Sequence, residues 1–162
     1  MNRLEFDELF RSSIRPLSAF AYRRVGADDC EDVVAETLAI AWRKRATITG
    51  DPMPWLFQIA ANVIRNHQRK VFRLPLFLDA AMADTLAAKP AEFSAGDPDL
   101  AKAWGKLTAF EQLLLTLNVI DELQPRFIAE LLGKSANSIS IKLHRTKEKL
   151  KNLLEDERKA KG

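Results

Sequence analysis

The sequence predicts an all-α protein of two small helical domains joined by a flexible linker, the C-terminal one a helix-turn-helix. Apolar residues recur at three- and four-residue spacing along almost the whole chain, and no alternating strand pattern interrupts them. Prolines and a glycine break residues 74–101. A short helix, a glycine and a long helix follow one another between residues 125 and 150. These observations predict a first domain at 1–73, a linker at 74–101 and a second domain at 102–158.

The formal charge of the 162-residue chain is only +3, but it is unevenly distributed. Basic side chains are in excess in both predicted domains, whereas acidic ones dominate the predicted linker. Cys30 is the only cysteine, so an internal disulfide is excluded and a reducing compartment is favoured. No apolar run is long enough to span a bilayer. We therefore expect a soluble cytoplasmic protein without membrane insertion.

The first domain contains an acidic helix, a loop and a helix that ends in basic residues. The stretch DDCEDVVAE, residues 28–36, carries five acids, and Asp28 with Glu31 fits a capping box that would open this helix. Such an acidic patch would suit a basic protein partner. Glycine and proline in TITGDPMP, residues 47–54, predict a loop. The basic run RNHQRKVFR, residues 65–73, fits either a helix C-terminus or a phosphate-tracking surface.

The second domain opens with a capping box at Thr108 and Glu111. Further on, Ala129 is small enough for a close helix crossing, Gly133 tolerates the turn, and Ile139 can point back into the corner. This is the pattern of a helix-turn-helix.

On the last helix, a polar and basic row lies apart from the apolar stripe. Asparagine, serine and arginine suit base edges and phosphates, and an exposed isoleucine could touch a thymine methyl. The alternative is a solvated amphipathic helix end, which the pattern alone leaves open. The row and its neighbours are Asn137, Ser138, Ile141, Lys142, Arg145 and Lys149.

Three segments together resemble the sigma-70 family of RNA polymerase sigma factors, in its extracytoplasmic-function (ECF) group. DDCEDVVAETLAIAW, PWLFQIAANVIRN and LGKSANSISIKLHRTKEKL are similar to three motifs of that family. They occur in the family's order and spacing, with the linker between the second and the third. The resemblance covers nearly the whole chain.

The resemblance implies a factor that binds core RNA polymerase, melts and reads the −10 promoter element with its first domain, and reads the −35 element as duplex with its second. It implies docking on the polymerase clamp through Asp32 and Glu36, and contact with the polymerase flap. The implied −10 contacts are Ile48, Thr49, Gly50, Asp51, Asn62, Arg65, Asn66 and Arg69. The implied −35 contacts are Ser135, Asn137, Ser138, Ser140, Ile141, Lys142 and Arg145. An anti-sigma factor that holds the protein inactive is implied by analogy.

Two other classes of function were weighed. A stand-alone helix-turn-helix repressor or activator would use residues 1–73 for dimerisation or effector binding. An enzyme is disfavoured, because the chain has two His and one Cys without a plausible nucleophile or metal-ligand set, and no glycine-rich phosphate loop. We therefore expect no catalytic residues, no metal and no cofactor.

Overall fold

The computed structural model describes residues 1–69 and 86–162 and divides the chain into two compact units, Met1–Leu78 and Asp79–Gly162. Every regular element in the described ranges is helical. The all-α class predicted from the sequence is therefore confirmed.

Within residues 1–69, the first unit is a bundle of three helices: α1 (Arg3–Val25), α2 (Ala27–Lys44) and α3 (Pro52–Arg69). A 3-10 turn, Arg45–Thr47, ends α2 and leads into the predicted loop. Leu17, Phe20, Leu56 and Phe57 are fully buried where the helices pack. Phe20 and Phe57 meet edge to face with ring centroids 5.0 Å apart, a favourable aromatic geometry that joins α1 to α3.

Gly26 alone separates α1 from α2, and this corrects the capping box predicted at Asp28. Gly26 adopts a positive φ of 81°, and its N–H donates to the carbonyl of Tyr22 at the end of α1. Because one glycine makes the turn, α2 begins already at Ala27 without a side-chain cap. Asp28 and Asp29 instead occupy the first turn of α2, where their charge complements the helix dipole.

From residue 86 onwards, the second unit contains five helices and one π-helical turn. Its elements are α4 (Pro90–Ser94), α5 (Pro98–Gly105), α6 (Ala109–Leu115), the π-helical turn Thr116–Ile120, α7 (Pro125–Leu132) and α8 (Ala136–Lys159). The capping box predicted at Thr108 and Glu111 is present at the start of α6.

Residues 86–94, here called the strap, differ from the linker predicted over 74–101. Leu86 and Ala88 are buried, and the N–H of Ala88 donates to Thr116 Oγ1 at 2.8 Å. The Ala88 carbonyl accepts from the indole Nε1 of the buried Trp104 at 3.0 Å. The ring of Phe93 stacks on Trp104 with centroids 4.0 Å apart. The strap is thus part of the second unit. Residues 74–85 of the predicted linker lie outside the described range.

The helix-turn-helix predicted from Ala129, Gly133 and Ile139 is formed by α7 and α8. Gly133 has a φ of 67°, and Lys134 donates its N–H to the carbonyl of Ala129 at 2.8 Å, as in a Schellman motif. Ala129 and Ile139 are each 1% exposed. The small residue and the returning isoleucine therefore close the corner between the two helices.

Candidate nucleic-acid interface

The N-terminal half of α8 presents a continuous polar surface. Ser135 is the N-cap, and its Oγ accepts from the N–H of Ser138 at 3.2 Å. Ile139 and Leu143 are buried on the opposite side, whereas Ile141 is 43% exposed. The structure thus exposes together all the residues predicted for duplex reading: Ser135, Asn137, Ser138, Ser140, Ile141, Lys142 and Arg145.

Lys149, the last member of the row predicted from spacing, is exposed but is paired within the second unit. Its Nζ donates to Oε1 of Glu111 at 2.8 Å. Lys149 therefore holds α8 against the start of α6.

Glu111 is a buried acid, 5% exposed, that is held ionised by its neighbours. Burial by itself would raise the pKa of this carboxyl. The hydrogen bonds from Lys149 and from the N–H of Thr108, the latter at 2.9 Å, outweigh that effect and lower the pKa below its ordinary value. The ion pair is consequently structural rather than available to a ligand.

The predicted −10 loop follows the 3-10 turn at the end of α2. Ile48 is half-buried, while Thr49, Gly50 and Asp51 are exposed. The Oδ1 of Asp51 accepts from the N–H of Met53 at 3.0 Å, so this side chain also stabilises the first turn of α3. The side chains of Thr49 and Asp51 therefore face solvent, where a DNA strand could reach them.

Two of the residues implied for the −10 element are buried on α3. Asn62 is 6% exposed and Arg65 is 8% exposed. Asn62 donates to the carbonyl of Gln58 at 3.0 Å, but its Oδ1 and the Nε of Arg65 are buried without a hydrogen-bond partner among the described residues. Asn66 is exposed, and the side chain of Arg69 lies outside the described part of the chain. The structure therefore exposes the loop with Asn66 and covers Asn62 and Arg65.

The acidic face of α2 carries Asp32 and Glu36, both exposed. Val34, Leu38 and Ala41 of the same helix are buried against the rest of the unit. Neither carboxylate is needed for packing, so both are free to meet a partner.

Trp42 and Arg45 form an exposed pair that the sequence analysis missed. Trp104 is fully buried, whereas Trp42 is 37% exposed. The guanidinium of Arg45 lies over the Trp42 ring at 3.7 Å, and its Nη1 donates to the Trp42 carbonyl at 2.7 Å. The available signal was the Trp-x-x-Arg spacing at a helix end, which places the two side chains on one face.

The described part of the chain contains neither a metal-ligand cluster nor a membrane-spanning helix. Within residues 1–69 and 86–162, no group of three His, Cys, Asp or Glu side chains is arranged to hold a metal ion. None of the helices there is long and apolar enough to cross a bilayer.

Cys30 is buried, and its thiol donates to the carbonyl of Ser18. Burial raises the pKa of this thiol, and the charge of Glu31 raises it further. Its thiol therefore stays protonated at neutral pH.

Comparison with known proteins identifies the first unit. Residues 9–73 match sigma-70 region 2. This part of the chain is similar to the sigma-70 family. The match spans α2, the exposed loop and α3, so the acidic face and the predicted −10 residues all lie within this sigma region. The resemblance to the sigma-70 family stated from the sequence is thus confirmed for residues 9–73.

The chain is also similar to a curated sequence relative and, in fold, to two solved structures. The chain is 38% identical over 71 residues to the RNA polymerase sigma factor HrpL of Pseudomonas syringae pv. syringae, covering 42% of this chain and 39% of HrpL. It thus matches about two fifths of that relative's length.

The sigma factor RpoE of Bartonella quintana, solved with the anti-sigma factor NepR, is similar in fold with a TM-score of 0.53 and 24% identity, covering 93% of this chain and 97% of RpoE. CnrH, solved with the cytosolic domain of CnrY, gives a TM-score of 0.58 and 24% identity, covering 96% of this chain and 90% of CnrH. At this identity the two structures support the fold alone.

Proposed function

We propose that this protein is an ECF-type sigma factor that binds core RNA polymerase and directs promoter-specific initiation in the cytoplasm. The first unit would read and melt the −10 element, and the second would read the −35 element as duplex. The observation that carries the proposal is the sigma-70 region 2 match, on a chain whose second unit is a helix-turn-helix with an exposed polar reading face.

The duplex-reading role is assigned to α8. A helix that follows a tight turn can enter the major groove with its N-terminal residues towards the base edges. Arg145 can present a bidentate fork to a guanine or clamp a phosphate, whereas Lys142 offers a point charge. Ile141, exposed on the same face, suits a thymine methyl. The seven polar and apolar residues exposed at the start of α8 would together set the −35 preference.

The strand-reading role is assigned to the loop at Ile48–Asp51 and to Asn66. A melted strand needs a pocket for an extruded base and a cationic path, and it needs no catalytic group. Because Asn62 and Arg65 are buried, we assign them contacts that form only after local rearrangement. Their unsatisfied buried polar atoms favour such a rearrangement, since a nucleotide could pair with both.

The docking role is assigned to Asp32 and Glu36, which would meet basic side chains of the polymerase clamp. The second unit would contact the polymerase flap. An anti-sigma factor is a further proposed partner, because the RpoE relative is solved with one. Two linked modules that bind one polymerase–promoter complex gain affinity through their effective concentration, even where each binds weakly.

Run-off transcription with core RNA polymerase, in the presence and absence of this protein, tests the proposal. A sigma factor starts defined transcripts only when both are present. A helix-turn-helix repressor instead binds a duplex stably without polymerase and starts no transcript. Absence of any protein-dependent transcript across a promoter library would reject the sigma assignment.

The −35 assignment is tested by Arg145→Ala and Lys142→Ala in holoenzyme. We expect Arg145→Ala to cost about 1–3 kcal/mol in promoter binding and to flatten the base preference. Lys142→Ala should weaken binding to all sequences alike. Affinity is measured on the preferred −35 sequence and on its single-base variants. Unchanged affinity and preference for Arg145→Ala would mean that α8 is not the reading helix.

A further inference from the structure

The C-terminal end of α2 carries three consecutive basic residues, and only the last of them is fixed in place. Arg43 and Lys44 are exposed, whereas Arg45 is half-buried on the Trp42 ring. Trp42 in turn meets Phe6 of α1 edge to face, with ring centroids 5.0 Å apart. The guanidinium of Arg45 is therefore the outer layer of a stack that begins in the bundle.

Two contacts fix the orientation of the Arg45 guanidinium. The Trp42 ring holds its plane at 3.7 Å, and the Trp42 carbonyl accepts from Nη1 at 2.7 Å. A guanidinium has five N–H donors. The hydrogen bond to the Trp42 carbonyl uses one of them, so most of the donors remain for a ligand. A cation that is oriented before binding loses less side-chain entropy when it meets an anion than a free lysine does.

The separation between Arg45 and the predicted −10 loop indicates which part of a DNA strand Arg45 could contact. One 3-10 turn, Arg45–Thr47, separates it from Ile48. A 3-10 helix rises about 2.0 Å per residue, so Arg45 and Ile48 are about 6 Å apart along the turn. Successive phosphates of one strand are about 3.4 Å apart along a duplex axis and further apart when the strand is extended. Arg45 thus lies one or two nucleotides from any base that enters the loop.

We propose that Arg45, held by Trp42, binds one phosphate of the non-template strand next to the base received by the Ile48–Asp51 loop. This inference rests on the proposed −10 function of that loop and adds a site outside it. The ligand is a single phosphodiester of melted DNA. Arg45 is the binding residue, and Trp42 positions it.

The test uses reconstituted holoenzyme and promoter fragments with a premelted −10 region. A methylphosphonate, which removes the charge of one phosphate, is placed at each position of the non-template −10 strand in turn. Binding is measured for the wild type, Arg45→Ala, Arg45→Lys and the control Lys44→Ala, which removes the same charge one residue away. The affinity losses are combined in double-mutant cycles.

With unmodified DNA, we expect Arg45→Ala to weaken binding about 10- to 100-fold, as for loss of a hydrogen-bonded charge. At one methylphosphonate position the wild type should lose a similar factor, and Arg45→Ala should lose almost nothing more. Arg45→Lys should recover part of the affinity, and Lys44→Ala should show no coupling to any single position. Additive losses for Arg45→Ala at every position would overturn the inference.

The same experiment separates this inference from the proposed function. A wild-type holoenzyme that does not distinguish the preferred −10 sequence from a scrambled one contradicts the proposed −10 function. A wild type that does distinguish them, combined with additive Arg45→Ala losses, contradicts only the phosphate site.

Discussion

The replacement Thr116→Val tests how the strap is held in the second unit. The Thr116 hydroxyl donates to the carbonyl of Gln112 at 2.7 Å and accepts from the N–H of Ala88 at 2.8 Å. Valine keeps the branched shape but leaves the Ala88 N–H buried and unpaired. An unsatisfied buried donor costs about 1–3 kcal/mol, so we expect a loss of that size in the free energy of unfolding.

Thr146→Val is the matched control. Thr146 is equally buried on a helix, and its hydroxyl donates to the carbonyl of Lys142 at 2.7 Å. It accepts no hydrogen bond from the described part of the chain, so its replacement strands no N–H. We expect this variant to lose less than about 0.5–1 kcal/mol. The difference between the two threonine variants isolates the bond to the strap.

Denaturant unfolding followed by Trp104 fluorescence measures both variants. The chain has three tryptophans, and Trp42→Phe with Trp55→Phe leaves Trp104 as the single reporter of the second unit. In a domain of this size, 1 kcal/mol corresponds to about 4–8 °C in Tm, which gives a second readout. Equal losses for the Thr116 and Thr146 variants would refute the reasoning that the strap belongs to the folded unit.

Three further outcomes are expected. Replacing Asp32 and Glu36 by Lys should weaken binding to core polymerase while thermal stability changes by less than about 1 kcal/mol, since both side chains are exposed; unchanged polymerase affinity contradicts the docking assignment. Because the pKa of Glu111 is lowered by folding, its stabilisation is present above the ordinary glutamate pKa of about 4.3 and is lost as the pH falls through the lower folded pKa. In Glu111→Gln, the free energy of unfolding should therefore fall less steeply than in the wild type as the pH is lowered from 6. An unchanged pH dependence argues against the ion pair. Glu122 and Gly133 both have a positive φ, which strains a residue with a side chain. Glu122→Gly should therefore raise the free energy of unfolding by about 0.5–1 kcal/mol, and Gly133→Ala should lower it. A lower free energy of unfolding for Glu122→Gly would contradict backbone strain at this position.

Local patterns of the sequence were sufficient for the helix-turn-helix and for the start of α6. Ala129, Gly133 and Ile139 act through their immediate neighbours, so spacing alone predicts the corner. Thr108 and Glu111 likewise bond to each other three residues apart. Such short-range contacts leave a signature in the order of the residues.

Contacts between distant residues explain what the sequence could not predict. The strap is held by Trp104 and Thr116, which are 16 and 28 residues from Ala88, so its one proline, Pro90, was interpreted as a linker feature. Lys149 continues an apparent polar row but pairs with Glu111, 38 residues away. Residue type alone gives no sign of either pairing.

The burial of Asn62 and Arg65 on α3 has the same origin. Their residue types favour a polar, DNA-facing role, which the family resemblance also implied. Their exposed fractions depend on the packing around α3, which the residue types do not reveal. The −10 and −35 contacts themselves stay predictions until DNA binding is measured.

The ion pairs of the second unit have a consequence for its behaviour in salt. Lys106 pairs with Glu157, Arg158 with Asp97, Lys161 with Asp99, and Lys149 with Glu111. A cation that stays paired with a carboxylate does not neutralise a DNA phosphate, so it releases no counterion from the DNA. Each phosphate contact contributes about 0.9 to the slope of log affinity against log salt. The four pairs thus remove about 3.5 from the slope that a count of Lys and Arg would suggest. The isolated second unit should hold duplex DNA weakly and with a shallow salt dependence. Under the proposed function, attachment of the first unit to polymerase would then have to supply its local concentration.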